Sequence, residues 1–208
     1  MKKLWSICLL AISIATQAQV DIGVKGGLSL GNFSGRYDKT FNQNRLTRGG
    51  IQLGFYGTYD LADKVKLYTE LSYAYLSAGF KYKDASFNNV QVLDIYNFHY
   101  LQLPILVQYH FNEKWHLGTG PQFNFLLGAN YHVRYNGDNG THYDAKPSLN
   151  STDIGWVFKG GYNFNEKLQG GIHWYTGLSG LYKDNRDGLK HLRQMYVSFY
   201  VSYSLYKK

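Results

Sequence analysis

The chain has 208 residues and a formal net charge of +8. This length fits one domain. The positive charges are spread along the sequence without a basic run or an RNA-binding motif, so nucleic acid is excluded as an expected partner. Aromatic residues make up 17% of the chain, including 20 tyrosines, a composition that favours β-strands and membrane interfaces.

The first 18 residues have the pattern of a secretory signal peptide. Lys2 and Lys3 precede an apolar stretch, 4–15, and Ala18 ends a small-residue cleavage site. An N-terminal anchor is the alternative, but the stretch is shorter than the ~18 residues of a membrane helix. The sequence therefore predicts a signal peptide over 1–18 and one domain over 19–208. Because Cys8 is the single cysteine, this domain would contain no disulfide.

The remaining chain contains eight segments in which apolar residues alternate with polar or small residues, which is the period of a β-strand. In chain order, these predicted strands cover residues 20–32, 48–61, 65–83, 97–111, 115–130, 152–164, 168–182 and 192–206. The connections alternate in length along the chain. Loops are predicted over residues 33–47, 84–96, 131–151 and 183–191, and short turns over 62–64, 112–114 and 165–167.

Every second predicted strand ends with a tyrosine followed two residues later by a bulky apolar residue. Residues i and i+2 share one face of a strand, so each pair would present an aromatic and an apolar side chain next to a turn. A transmembrane β-barrel carries such an aromatic girdle where it leaves the bilayer. The predicted girdle consists of Tyr59, Tyr109, Phe111, Trp115, Tyr162, Phe164, Tyr203 and Leu205.

These patterns predict an all-β fold, an eight-stranded antiparallel up-and-down transmembrane β-barrel. In outer-membrane barrels the short turns are periplasmic and the long loops are outside, so both termini of the mature chain would be periplasmic. We expect a monomer. A soluble, lipocalin-like barrel is the alternative, with its apolar face inside. The girdle repeat, the signal peptide and the long strands disfavour it.

Three segments are similar to a known family. Residues 21–28 and 118–121, together with residues 100–109 and their internal Pro104, resemble the PorT-like outer-membrane β-barrel family of Bacteroidota. This family consists of small barrels with OmpX/OmpA-like architecture. The resemblance implies an outer-membrane location. The family's namesake works in type IX secretion, which suggests a link to secretion or envelope assembly, but no motif in this chain carries that role.

The inward face of the predicted barrel contains charged and amide side chains. An eight-stranded barrel is just wide enough for side chains to fill it, and buried charges need partners. We therefore expect a polar network that fills the lumen. A narrow conduction path is the alternative, since inward glycines would leave room for water. The predicted network consists of Lys25, Glu70, Gln102, Gln122, Asn124, Asp153 and Lys159.

The seven histidines raise the question of catalysis or metal binding. Some small outer-membrane barrels are lipid A-modifying enzymes that use serine and histidine. Nucleophilic catalysis needs a base within hydrogen-bond reach, and no such pairing is visible in this sequence. We expect no enzyme activity, cofactor or metal. His132 and His142, with Asp138 or Asp144, are the alternative cation ligands.

Basic residues in the predicted loops could contact the phosphates of lipopolysaccharide. Arg48, Lys81 and Arg193 lie nearest the strands and are the predicted contacts. The expected function is that of a non-catalytic scaffold or interaction barrel. Its partners would be outer-membrane lipid, lipopolysaccharide and an envelope or secretion protein. A narrow porin-like channel and a lipid A-modifying enzyme are the alternatives.

Overall fold

A computed structural model describes residues 19–35, 44–84, 90–136, 140–183 and 192–208. The strands in this part of the chain are β1 Val20–Ser34, β2 Arg45–Ala62, β3 Val65–Asp84, β4 Val90–His110, β5 Trp115–Tyr135, β6 Thr141–Asp144, β7 Thr152–Asn163, β8 Leu168–Gly177 and β9 Arg193–Lys207. A short 3-10 helix spans Lys146–Ser148. Within these residues, no helix is long and apolar enough to cross a membrane.

Eight of these strands form a closed antiparallel ring. Each strand from β1 to β5 pairs with the next, β5 pairs with β7, and β7 to β9 continue the ring. The first and last strands, β1 and β9, pair with each other from Asp21↔Lys207 to Ser34↔Arg193 and close it. Among the described strands, the short β6 pairs with β5 alone, at residues 130–133 near its loop end. The prediction of an eight-stranded up-and-down barrel is confirmed.

Side chains alternate between the outside of the ring and its lumen. On β1, for example, Leu28 is 69% exposed whereas its neighbour Ser29 is 2% exposed. The outward side chains are mostly apolar, and the inward ones include lysine, glutamate and glutamine. This is the inverse of a lipocalin-like barrel, whose apolar residues face inward. The apolar outer band is instead what a membrane barrel presents to lipid.

Two of the predicted loops are shorter than expected. β4 begins at Val90 instead of residue 97, and β5 continues to Tyr135 instead of residue 130. The two strands stay hydrogen-bonded up to the pair Val92↔Tyr135. This extension is not evident from the sequence because the neighbouring residues Asp94 and Ile95 are both buried, although they point to opposite faces of the strand. Strict alternation between an apolar and a polar face is therefore lost there.

The remaining corrections concern the predicted loop 131–151 and the predicted strand 168–182. The loop contains β6 and the 3-10 helix in addition to the end of β5. β8 ends at Gly177, because the N–H groups of Leu178 and Ser179 both turn to the carbonyl of Ile154 and the ladder stops. The predicted signal peptide, 1–18, lies outside the described residues.

The end of the lumen beside the long loops is filled by an apolar cluster, which we call the loop-side plug. Phe33 is at its centre, stacked on Phe80 with ring centroids 5.1 Å apart and meeting Phe98 edge-on at 6.2 Å. All members of the plug are at most 4% exposed. The plug consists of Phe33, Leu76, Phe80, Phe98, Leu149, Leu181 and Leu192.

Candidate functional site: the barrel lumen and its turn-side cavity

A buried ion pair lies in the middle of the lumen. Lys25 on β1 and Glu70 on β3 face inward, and the Lys25 Nζ atom lies 2.6 and 2.8 Å from the two carboxylate oxygens of Glu70. The hydroxyl of Tyr68 donates a third hydrogen bond to this carboxylate, at 2.7 Å. Desolvating each charge costs several kcal/mol, so close pairing and additional hydrogen bonds are what make such a pair tolerable.

The third predicted lumen charge, Lys159 on β7, does not join this pair by a hydrogen bond. Its Nζ atom lies 3.3 Å from the ring centroid of Tyr68 and 4.6 Å from that of Tyr200. It has no hydrogen-bond partner among the described residues. Cation–π contacts of a desolvated ammonium contribute about 2 kcal/mol. Lys159 is therefore held by aromatic faces and not by a carboxylate.

A second group of predicted residues forms an amide network around Tyr196. The Nε2 groups of Gln102 and Gln122 both donate to the Tyr196 hydroxyl, at 2.9 and 2.6 Å. Gln122 Nε2 also lies 2.6 Å from the Oδ1 of Asn124. His173 is hydrogen-bonded to Gln122 Oε1 at 3.0 Å. This network cross-links β4, β5, β8 and β9 through the lumen.

The network ends at Asp153 on β7, which accepts three side-chain hydrogen bonds. The donors are Asn124 at 3.1 Å, Tyr175 at 2.6 Å and Ser179 at 2.7 Å. The seven predicted lumen residues therefore lie inside the barrel, but they divide between the Lys25–Glu70 pair, the amide network and the separate Lys159.

Tyrosines fill much of the remaining lumen, although none of them was among the residues predicted for the network. Tyr175 stacks on Tyr196 with centroids 4.9 Å apart, while Tyr68 and Tyr200 flank the two lysines. The available signal was strand parity, which places all of these rings on the inward face. Tyrosine is common in strands and at membrane interfaces, so its abundance alone does not indicate a role in the lumen.

The end of the lumen beside the short turns is open, in contrast to the loop end. A cavity of about 540 Å³, which we call the turn-side cavity, is lined by residues of β1 to β4 and β7 to β9 and by two turns. Asp21 on its wall accepts a hydrogen bond from Ser204 at 2.6 Å. Lys66 forms an ion pair with Asp60 at 2.7 Å.

The predicted girdle residues lie on the outer face around the turns. Tyr109 meets Phe111 edge-on with centroids 5.2 Å apart, and Tyr162 packs in the same way against Trp115 at 4.7 Å and Phe164 at 5.4 Å. The other three residues lie at the ends of β2 and β9: Tyr59, Tyr203 and Leu205.

The three predicted lipopolysaccharide contacts are not brought together. Arg48 donates from Nε to the Ser77 hydroxyl at 3.1 Å, and Arg193 lies across from Ser34 on β1. Lys81 instead lines a cavity of about 270 Å³ together with Arg134. Arg134, which was not among the predicted contacts, reaches the same cavity because Lys81↔Leu93 and Leu93↔Arg134 are successive cross-strand pairs.

Two of the alternative cation ligands do lie next to each other. His132 on β5 and His142 on β6 are a cross-strand pair whose rings stack with centroids 3.8 Å apart. Asp144 is also on β6, whereas Asp138 lies outside the described residues. Across the described part of the chain, no group of three or more histidine, cysteine, aspartate or glutamate residues is arranged to hold a metal ion.

The closed ring, the apolar outer band and the polar lumen define a small transmembrane β-barrel. Residues 16–183 match the family described as outer membrane protein beta-barrel domain, and the chain belongs to this family. The protein is accordingly an outer-membrane protein. No curated protein matches its sequence.

Among solved structures, the chain is similar to Neisserial surface protein A, NspA, with a TM-score of 0.53 and 10% identity. That alignment covers 88% of this chain and 97% of NspA. The chain is also similar to Ail, the attachment invasion locus protein of Yersinia pestis, in complex with the heparin analogue sucrose octasulfate. The TM-score is 0.49 at 10% identity, covering 89% of this chain and 99% of Ail. At such identities the likeness to NspA concerns the fold alone.

Proposed function

We propose that this protein is a non-conducting, non-catalytic barrel of the outer membrane that serves as a scaffold for interactions. The loop-side plug is the observation that supports this proposal most strongly. Phe33, Leu76 and Phe98 are fully buried where a pore would need a polar, hydrated path. Close-packed apolar side chains exclude water. The porin-like alternative would require this plug to open.

Single-channel recording in planar bilayers tests this proposal. We expect the purified wild-type barrel to give no conductance steps, with an open porin as the positive control. A Phe33→Ala/Phe98→Ala variant, which removes two rings of the plug, should leak ions if the plug is the seal. Regular conductance steps from the wild-type protein would contradict the proposal and favour a narrow channel.

The proposed orientation places the turns and both ends of the mature chain in the periplasm and the loops outside. Its support is the alternation of short and long connections, which outer-membrane barrels share. An epitope inserted in the described turn at Asp63 should be hidden from antibody in intact cells. An epitope at Gly140, in the connection between β5 and β6, should be accessible. The reverse labelling would overturn the orientation.

We further propose that the outer rim contacts lipopolysaccharide through Arg48, Lys81 and Arg193, with Arg134 as a further contact. Lys81 and Arg134 line one cavity together with Leu46 and Leu93, which supports this assignment because lipid A combines phosphates with acyl chains. A Lys81→Gln/Arg134→Gln variant should co-purify with less lipopolysaccharide than the wild type. The matched control, Lys64→Gln/Lys114→Gln, removes two lysines at the opposite end and should retain it.

The resemblance to PorT-like barrels supports the further proposal of an envelope or secretion protein as partner. Affinity purification of a tagged barrel from mildly solubilised outer membranes, followed by mass spectrometry, would identify a stoichiometric partner.

We also propose that the barrel does not modify lipid A. The lipid A mass spectrum of a deletion strain should therefore match that of the parent strain. A modification that is missing in the deletion strain would contradict this proposal.

A further inference from the structure

The turn-side cavity carries an arrangement of hydrogen-bond donors that neither the fold nor the scaffold function requires. Lys66 on β3 and Gln108 on β4 are direct cross-strand neighbours, so their Cβ atoms are roughly 4.5–5.5 Å apart. His110 lies two residues further along β4, on the same inward face. All three side chains line the cavity. They form a continuous patch, which we call the donor patch.

Two members of the donor patch lack hydrogen-bond partners within the described chain. Gln108 is only 3% exposed, and its Nε2 group donates to nothing. The Nε2 atom of His110 is also buried and unpartnered. The ring of His116 stacks on that of His110 with centroids 5.0 Å apart, and neither of its nitrogens has a hydrogen-bond partner among the described residues. Buried polar groups normally have hydrogen-bond partners. We therefore expect an acceptor in the cavity next to this patch.

The charges around the cavity also favour an acceptor that is anionic. Four lysines and three acidic residues line it. Of the acids, Asp21 already accepts from the hydroxyls of Ser204 and, at 3.4 Å, Tyr56. Lys66 forms an ion pair with Asp60 at the rim. Because an ammonium group has three N–H donors, Lys66 can also donate to an acceptor inside the cavity. Charge-assisted hydrogen bonds are about twice as strong as neutral ones.

From this geometry we infer that the turn-side cavity is a binding site for a small organic oxyanion, whose carboxylate or phosphate group is held by Lys66, Gln108 and His110. The volume of about 540 Å³ leaves room for the rest of such a molecule. The loop-side plug closes the lumen beyond it, so the ligand would enter and leave at the turn end. This inference does not depend on the scaffold function, because a barrel with or without a protein partner would present the same cavity.

Nuclear magnetic resonance of the refolded, ¹⁵N-labelled barrel in detergent micelles tests the site directly. Inorganic phosphate and acetate are titrated separately, with sodium chloride at equal ionic strength as the control. We expect saturable shifts of the Gln108 side-chain amide. Saturation by phosphate alone identifies a phosphate ligand, and saturation by acetate identifies a carboxylate ligand. Shifts that grow linearly and equal those caused by chloride would overturn the inference.

Variants then assign the binding to the donor patch. Lys66→Gln should weaken the affinity at least about tenfold, in line with the loss of one hydrogen bond to a charged group. Lys64→Gln removes the same charge two residues away, outside the cavity lining, and should bind like the wild type. Gln108→Glu places a negative charge in the patch and should abolish saturation. Equal affinity in Lys66→Gln and Lys64→Gln would contradict the assignment.

Discussion

The two halves of the lumen differ in how they are filled. The loop half is closed by the apolar loop-side plug, with members such as Phe33 fully buried. The turn half encloses a polar cavity of about 540 Å³. The same ring of eight strands surrounds both, so ring geometry alone does not decide whether the lumen is filled. The difference lies in the inward side chains, which are large and apolar on one side and small or polar on the other.

Between the two halves, buried polar groups connect the strands. The Lys25–Glu70 pair and the amide network around Tyr196 both span strands that are not neighbours. Their stability depends on each partner being present, because a buried group left alone incurs its full desolvation cost. The strongest effects of mutation should therefore arise where a partner is removed from this middle layer.

Glu70→Gln should give the largest loss of stability. The substitution leaves Lys25 buried without its carboxylate, and breaking a buried pair in this way costs about 3–5 kcal/mol. The free energy of unfolding in urea, followed by tryptophan fluorescence in micelles, measures it. The double variant Lys25→Met/Glu70→Met removes the pair as a unit and should be less destabilised. A Glu70→Gln protein as stable as the wild type would show that the pair is not required.

Leu76→Ala should give the next largest loss of stability. Leu76 is fully buried in the plug, and removing a buried leucine side chain costs about 2–5 kcal/mol. His110→Ala, on the wall of the turn-side cavity, should cost less than about 1 kcal/mol, because the side chain already faces a cavity. Similar losses in the two variants, measured by the same urea unfolding, would mean that the two halves are equally packed.

Two buried tyrosines allow a smaller and closely matched comparison. The hydroxyl of Tyr196 accepts hydrogen bonds from Gln102 and Gln122, so Tyr196→Phe should cost about 1–3 kcal/mol. The Tyr100 hydroxyl is equally buried but has no partner within the described chain. Tyr100→Phe should therefore leave the unfolding free energy unchanged or raise it. If both variants lose stability alike, hydrogen bonding is not the cause.

A moderate effect is expected at the predicted girdle. Trp115 packs edge-on against Tyr162 at 4.7 Å on the outer surface, and such aromatic pairs contribute about 0.5–1.5 kcal/mol beyond the burial of area. Trp115→Ala should lower the unfolding free energy in lipid bilayers by at least about that amount. A loss above roughly 3 kcal/mol would indicate that Trp115 belongs to the core of the fold.

The eight ring strands could be predicted from the sequence because lipid on one side and a polar lumen on the other impose a period of two. The extension of β4 to Val90 could not, because its buried residues Asp94 and Ile95 lie on both faces. The lumen charges followed from parity, and the structure places Lys25 beside Glu70. That Lys159 would lie over Tyr68 could not be foreseen, because it depends on which inward side chains meet across the ring.

The donor patch was invisible at the sequence level for a related reason. The period-two alternation of a strand places Gln108 and His110 on the inward face of β4, but whether such groups find partners depends on side chains from distant strands. Neither the plug nor the cavity has a local sequence signature, since both arise from the sum of inward volumes at one level of the barrel. The alternation along a strand predicts whether a side chain faces the lumen or the lipid. Which parts of the lumen are filled depends on how the inward side chains pack together.

The contrast between the two halves is tested most directly by the reactivity of single cysteines. Cys8 is the single cysteine of the sequence, so a barrel produced from residue 19 provides a cysteine-free background. Gln169→Cys lies on the wall of the turn-side cavity, and Ala78→Cys lies in the fully buried loop half. We expect a small charged methanethiosulfonate reagent to modify Gln169→Cys rapidly and the folded Ala78→Cys protein only on unfolding. Equal modification of both folded proteins would contradict a lumen that is open at one end and sealed at the other.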